Sequence, residues 1–583
     1  MPAYSNCDLA QALCTAVERL IAVEAAVDNI EPSVPGGICI TTQSELVYEA
    51  LGDSLKVLQI CADLTITTGI VIPPTCTVKV DGHKFIQGGG GSLRFRGPLI
   101  SQRQKIFESF VDGEIFGPFG GYAIPEWWGL TAGRHDLAIN SAVKASWALE
   151  TGGQIGHTVL LMARRYDIAR PIDLSNTKCE LLGRGSGVTS IWSTADFKHN
   201  ETDDWAIAEV TTPTGNWLEN PVTGQAGNHS ALVWMGAVIP QDPRPSTFWS
   251  RVRGVHLDCY YASVNNPLRY FSGISSLGWV EEQSSIIDVV VTHFSGLGIG
   301  FPRHQYNGSY GAAVINGLRV ANIWITTGMK RDAFGIYTTQ WCNNASFSDI
   351  TIDCSLRKSA SSEYNIVGTG DDTQTYDMPD HILYYPWVGI KAQGTVTFNR
   401  FHIEGTCIGI WCADSDVGSV VINGLNCYGL MDIQNGAVYY NDGRSYLNTT
   451  GQVGNEQPPA NTNYYRWSCA VLIAGPHEFG RDANGNTNFS GKVNRRDRVV
   501  INGLRASYCS YALRDSTFGK EVACRGHSAP PNAGGVHIPD VSISLYSRGN
   551  SYIRSAVYPY SLIGEYDPAA PNTSRLFFLG PVY

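Results

Sequence analysis

The sequence predicts an all-β chain dominated by a parallel β-helix, a solenoid, with a short helical segment and a small β domain ahead of it. Three observations carry that prediction. Charged residues are only 16% of the 583, against about a quarter in an average globular chain, while 62 glycines, 28 tyrosines and 14 tryptophans point to many turns and a polar, aromatic surface. A short x-apolar-x-apolar-x pattern recurs along the chain, with 29, 32 and 24 residues between some consecutive copies. Helical heptad spacing, by contrast, stands at the N-terminus, before the first strand-like run.

Taken in order, residues 1–35 are expected to form a coiled-coil helix that oligomerises. Leu9, Leu13, Ala16, Leu20, Val23, Val27 and Ile30 alternate spacings of 4 and 3, the a/d pattern, and EPSVPGG then ends the helix. The competing reading is an amphipathic helix packed on its own domain. Residues 36–122 read as a small β-rich neck domain, because runs such as LTITTGIVI and CTVKVDG alternate and are broken by Pro and Gly. The stretch 123–150 holds a helix with Leu137, Ile139, Ala142, Val143 and Ala145 on its apolar side, expected to cap the solenoid that runs on to 548. Residues 549–583 are too few for a large separate domain and are expected to be a terminal β element or cap.

The repeat copies are GVHLDC (254–259), DVVVTH (288–293), GLRVAN (317–322), DITIDC (349–354), RFHIEG (400–405), GLNCYG (424–429) and GLRASY (503–508). Several precede a second short strand: GIGF at 298, GIYT at 335, GIWC at 409 and YALR at 511. Repeats of this size that stack turn on turn build a parallel β-helix. Second and fourth positions then face inward, continued by Cys259, Cys354 and Cys427. Outward at the fifth position stand Asp258, Thr292, Ala321, Asp353, Glu404, Tyr428 and Ser507. His256, Val290, Arg319, Thr351, His402, Asn426 and Arg505 stand outward at the third.

Charge and cysteine usage narrow the function classes. A net charge of −10 argues against DNA or an anionic membrane as principal partner, since phosphate binding needs a basic footprint. Fifteen cysteines without a CxxC pair or zinc-spaced histidines predict reduced, buried thiols. No basic residue precedes the first apolar stretch and no run approaches 18 apolar residues, so neither a signal peptide nor a membrane span is expected.

Three stretches carry a family resemblance: GPLISQRQKIFESF (97–110), IPEWWG (124–129) with the helix that follows Asp136, and VLLMARRYDIARPIDL with CELLGRGSG (159–187). In these the chain resembles bacteriophage tailspike proteins of the pectate-lyase-like β-helix type. The resemblance implies a right-handed parallel β-helix and a homotrimer made in the host cytoplasm. It further implies attachment to tail, baseplate or adaptor proteins of the virion through the N-terminus, and a host surface polysaccharide, O-antigen or capsule, as receptor. It transfers no catalytic residue.

The residues themselves suggest where chemistry sits. If the copies at 349 and 400 are adjacent turns, Asp353 and Glu404 stand side by side with Thr351 and His402 beside them. Glycoside hydrolysis needs two such carboxylates, so Asp353, Glu404 and His402 are the expected catalytic group of a polysaccharide depolymerase. The competing readings are two hydrated carboxylates and a non-catalytic adhesin. A lyase would want a base beside Arg or His, which Arg319, His402 and Arg505 keep open. Trp411, Tyr337 and Lys391 on successive second strands are expected to form an exposed sugar-binding platform, joined by Arg319, with Trp411 packed under a loop as the alternative. Trp341 and Trp387 lie near the same turns. Glu281, Glu282, Asp414 and Asp416 read as solvated carboxylates. DANGNTN (482–488) fails as a calcium loop, because Gly485 is misplaced and Val493 stands where Glu is needed, so neither metal nor cofactor is expected.

Overall fold

The computed structural model describes residues 37–145 and 157–199 almost completely, and from there to 579 the framework strands with part of their connections. Outside the described residues lie 1–36, 146–156, 217–227, 237–245, 354–387, 455–468, 475–497, 524–539, 566–574 and shorter loops. The N-terminal heptad, Cys354, Trp387, Asp414, Asp416 and the 482–488 loop are among them. The chain divides into two compact units, Met1–Gln102 with Ile106–Phe110, and Arg103–Lys105 with Val111–Tyr583.

In the first unit, strands Ile38–Ile40, Lys56–Ile60, Cys76–Val80 and Leu99–Ser101 form a parallel sheet. Strict alternation in KVLQI and CTVKV sends Leu58, Ile60, Val78 and Val80 inward, and Phe85, Phe95 and Phe107 pack at centroid distances of 6.0–6.1 Å. Helix α1, Gln43–Ala50, starts at a capping box in which Thr42 and Glu45 satisfy each other's backbone N–H. Cys39 and Cys61 are disulfide-bonded, with Cα atoms 5.7 Å apart. This corrects the expectation of uniformly reduced thiols: pairing Ile40 with Ile60 brings the two cysteines together, which their sequence spacing does not reveal. The described free cysteines, among them Cys259 and Cys427, are buried.

The second unit is a parallel β-helix. One long sheet stacks Arg251–Asp258, Ser285–Thr292, Arg319–Thr326, Ala345–Asp353, Thr395–Glu404, Ser419–Tyr428 and Arg498–Ser507, each parallel to the last. A second sheet stacks Leu297–Gly300, Phe334–Tyr337, Val388–Ala392, Ile408–Ala413 and Cys469–Ala474. Helix α2, His135–Ala145, lies over the first strands of the stack: His135 accepts from the Asp167 N–H at 2.8 Å, Asp136 from Ala169 at 2.9 Å and Asn140 from Asp173 at 2.9 Å. Edge N–H groups that would otherwise template another strand are thus satisfied. Leu137 is exposed instead of packing, on the helix face that also carries Ser141 and Lys144, whose side chains bond Asp112. At the other end the stack meets antiparallel strands, with Asp540–Ser547 against Arg498–Ser507 and Lys520–Ala523 against Tyr511–Asp515.

Each long strand turns a corner at one left-handed residue. Gly254, Asp288, Asn322, Asp349, Arg400, Gly424 and Gly503 lie in register with φ between 55° and 72°. Side-chain bonds between rungs hold the non-glycine members in this costly region, Arg400 Nη2 donating to Asp349 at 2.6 Å and Asn322 to Asp288 at 2.5 Å. Just before the corner, Asn423 donates to Asn399 and Asn502 to Asn423, both at 2.8 Å.

The corner fixes the register and corrects one copy of the repeat. Asn322, not Gly317, aligns with Asp288 and Asp349, so the true copy is NIWIT, 322–326. GLRV at 317 imitates GLRA at 503 because its Leu318 and Val320 are also buried, but Gly317 turns a different corner, ahead of the strand. Arg319 therefore pairs with Ser285 and Ser346 on the limb before the corner, and Ala321 leaves the fifth-position column.

Inside, the two sheets nearly touch. A Cβ on Gly298 would lie 2.8 Å from Ile325 Cγ2, on Gly335 2.9 Å from Ile352 Cδ1, on Gly389 2.9 Å from Ile403 Cγ2 and on Gly409 2.7 Å from Cys427 Sγ. The residue after each, Ile299, Ile336, Ile390 and Ile410, is fully buried. Gly335→Ala, whose Cβ would also meet the Gly389 carbonyl at 2.6 Å, is expected to destabilise the protein by about 1–3 kcal/mol in urea unfolding, as overpacking does. Gly187→Ala, with nothing within 4 Å, is the control and should stay within about 0.5 kcal/mol of wild type.

Candidate functional site

Beyond the corner, each long strand presents two outward positions. In one column stand His256, Val290, Trp324, Thr351, His402, Asn426 and Arg505; in the other Asp258, Thr292, Thr326, Asp353, Glu404, Tyr428 and Ser507. Pairing continues the columns through Ser190 and Trp192 to Arg165 and Asp167. The strip therefore runs over nine strands, about 38 Å at the usual strand spacing.

Asp353 and Glu404 are direct register partners, as are Thr351 and His402. Their strands alternate strictly after the corner, so Phe401 and Ile403 fill the core and His402 and Glu404 face out. Asp353 is 3% exposed, whereas Glu404 is half-buried. His402 Nδ1 accepts from the Asn426 amide at 3.1 Å, which places the ring proton on Nε2, 3.3 Å from Glu404 Oε2. The hydrogen bond to Glu404 raises the His402 pKa above 6.5, burial opposes it, and the charges of Glu404 and Asp353 add to the rise.

Aromatic rings stand on either side of this group. Trp324, 46% exposed, lies one strand before Asp353, and Tyr428, 48% exposed, one strand after Glu404. Trp324 was hidden from the sequence reading by the misplaced copy at 317; the signal that finds it is the corner residue, which aligns D-V-V-V-T, N-I-W-I-T and D-I-T-I-D.

A second polar group occupies the strip nearer its N-terminal end. Asp258, 2% exposed, accepts from the Tyr260 N–H at 2.8 Å and lies 3.0 Å from His293 Nδ1. Burial pushes its carboxyl up, but the His293 hydrogen bond and charge, the Tyr260 N–H and the His256 charge together leave its pKa below the ordinary value. His256 Nε2 is 2.8 Å from the Thr292 hydroxyl, and its ring meets Trp192 edge-on at 6.3 Å.

The expected sugar platform is differently built. Tyr337, Lys391 and Trp411 are register neighbours on the second sheet, but each is at most 2% exposed. Lys391 Nζ donates to the Tyr337 hydroxyl at 2.6 Å and lies 4.4 Å and 5.1 Å from the Tyr337 and Trp411 ring centroids. Alternation says which side of a sheet a residue takes; it does not say whether that side is covered, and here it is. Arg319 is exposed, but off the strip. Trp341 is exposed on the connection between Phe334–Tyr337 and Cys342–Asn343. Among the described residues no His, Cys, Asp and Glu group is arranged to hold a metal ion, and no helix is long and apolar enough to cross a membrane.

A parallel β-helix with one continuous polar and aromatic strip is what fold and site define. No family model matches the chain and no curated protein matches it. Among solved structures, it is similar to the Acinetobacter phage vb_AbaP_AS12 gp42 tailspike at 11% identity, covering 81% of this chain and 82% of that one with a TM-score of 0.32. It is also similar to ORF18 of Geobacillus virus E2 (10% identity, 79% of each chain, TM-score 0.29). A third is the siphovirus 9NA tailspike receptor binding domain (8% identity, 94% of this chain and 99% of that one, TM-score 0.22).

The His402–Glu404 contact has a measurable consequence. NMR titration should place the His402 imidazole above 6.5, and Glu404→Gln should return it towards that value. Because folding raises this pKa, the contact's contribution to stability is full below the unfolded value near 6.5 and is lost as pH rises through the raised one.

Proposed function

We propose that the chain is a bacteriophage tailspike that binds a host surface polysaccharide through the strip and hydrolyses it at Asp353 and Glu404. The observation that carries the reading is the in-register carboxylate pair with His402, set between two exposed rings. Tyr and Trp rings offer pyranose C–H faces broad apolar contact, and the neighbouring amides, imidazole and carboxylates offer hydrogen bonds to hydroxyls. Homotrimer assembly and virion attachment by the N-terminus belong to the same proposal and rest on the sequence resemblance.

Adjacent strands set backbones about 4.8 Å apart, which supports the closer carboxyl separation, about 5–5.5 Å, of a retaining glycosidase. Asp353 is assigned the acid's part, giving a proton to the leaving glycosidic oxygen. Glu404, held by the His402 N–H, attacks the anomeric carbon and forms a glycosyl ester. Asp353 then takes a proton from water, whose oxygen attacks that carbon and releases Glu404. Arg319, off the strip, no longer supports a lyase there, although Arg505 stays on it. One observation favours the non-catalytic adhesin: Asp353 is 3% exposed in the single chain, which limits its access to substrate.

Reducing-end release from purified host polysaccharide tests the reading. Wild type should release ends, while Asp353→Asn and Glu404→Gln, folded as wild type, should fall at least about 1000-fold. Normal cleavage by both variants would move the active site elsewhere; binding without release in wild type would establish the adhesin. Trp324→Ala should weaken glycan binding about ten-fold or more while leaving the unfolding midpoint nearly unchanged, since a half-exposed ring contributes little to the core.

A further inference from the structure

The strip carries three large rings, and they are evenly spaced. From Trp192, successive pairing passes through Arg251–Asp258 and Ser285–Thr292 to Trp324 in the third strand on. From Trp324 it passes through Ala345–Asp353 and Thr395–Glu404 to Tyr428, again the third strand on. Each interval is about 14 Å at the usual strand spacing. The outward positions between Trp192 and Trp324 include the short Val290 and Thr292, and the second interval holds the carboxylates.

Trp192 is built into its place. The Arg165 guanidinium lies 4.2 Å from its ring centroid, itself tied to Asp167 at 2.6 Å. Tyr261, from the short helix after Asp258, leans against it at 6.2 Å and is 38% exposed. Together they make an amphipathic station some four strands from the carboxylates, with a fixed cation beside an aromatic wall. Trp324 stands in the neighbouring column, about 7 Å to the side, which leaves the carboxylate column clear of it.

We propose that the ligand is a linear polysaccharide whose chemical repeat advances by three strands of the solenoid, about 14 Å, so that successive repeats present the same apolar sugar face to Trp192, Trp324 and Tyr428. The inference rests on the glycan reading above and adds to it the length of the repeating unit and a station remote from the carboxylates. The reasoning is geometric. A stack of hydrogen-bonded strands has a fixed rise, and so does an extended polymer of one repeating unit. Contacts of one kind at equal intervals gain affinity together only when the two rises match, since the tethered second and third contacts act at high effective concentration.

An array of purified bacterial O-antigen and capsular polysaccharides serves as the probe. Fragments of the polysaccharide it returns, holding one, two, three or four repeats, are titrated calorimetrically into full-length Glu404→Gln so that none is consumed. The expected repeat spans about 14 Å, and affinity should rise about ten-fold with each repeat up to three and then level off. Trp192→Ala in that background should abolish the gain from two to three repeats and spare single-repeat binding, with Trp192→Phe restoring the gain. A repeat of clearly different length, affinity that levels off at one repeat, or a Trp192→Ala protein that still gains with length would each overturn the proposal while leaving the glycan reading standing. A folded protein that binds nothing on the array would overturn both.

Discussion

Between the two long sheets, a glycine column runs against the side chains of the opposite sheet. At Gly298, Gly335, Gly389 and Gly409 a single added methyl would fall within 2.9 Å of Ile325, Ile352, Ile403 or Cys427, and within 2.8 Å of the next strand's carbonyl. Such spacing leaves no slack for one strand to slide against its neighbours. The isoleucine after each glycine is fully buried, and Tyr337, Lys391 and Trp411, the residues that follow three of them, are buried as well. On the long strands the opposing isoleucines are the fourth residues of the repeat, so the same contact places Asp353 and Glu404 immediately beyond Ile352 and Ile403. The interior positions the candidate site.

This explains what could be read from the sequence. The G-I pairs at 298, 335, 389 and 409 and the alternating copies at 254, 288, 349, 400, 424 and 503 are direct imprints of the narrow interior, and they were enough to bring Asp353 beside Glu404 and His402 beside Thr351. The copy at 317 failed because apolar alternation exists on both limbs of each strand. Only the left-handed corner separates them, and it is filled by Gly, Asp, Asn or Arg, a set with no hydrophobic signature. Burial of Tyr337, Lys391 and Trp411 was illegible for another reason: local period determines a face, and it does not say whether that face is covered. The Cys39–Cys61 pair depends in the same way on which strands meet.

Burying carboxylates on an outer strip is costly, and the strip shows two ways of offsetting it. Asp258 has a backbone N–H from Tyr260 and the imidazole of His293, and these with the His256 charge together reverse the effect of burial. That arrangement is closed: both partners are fixed by the adjoining helix and strand. Around Glu404 the compensation is looser, with His402 at 3.3 Å from one oxygen and the imidazole itself part-exposed. The same pairing of carboxylate and imidazole thus occurs twice on one face, once buried with a backbone N–H added and once part-exposed. The proposed chemistry is placed at the second, the more solvent-exposed of the two.

A solenoid also limits what kind of ligand such a face suits. Beyond the corner its outward residues come two to a strand, in columns, and no strand can add a third there without breaking the alternation that fills the core. A compact ligand would meet at most a few of these positions from one side, which gives little enclosure and little discrimination. A chain molecule lying along the columns meets every strand in turn, and each new strand adds contacts without any change in the fold. Selectivity on such a surface must come from which strands carry bulk and charge and how far apart they stand. Substituting one strand's outward pair changes a single contact, whereas deleting a strand shifts all later contacts by about 4.8 Å, so the lattice itself acts as the ruler.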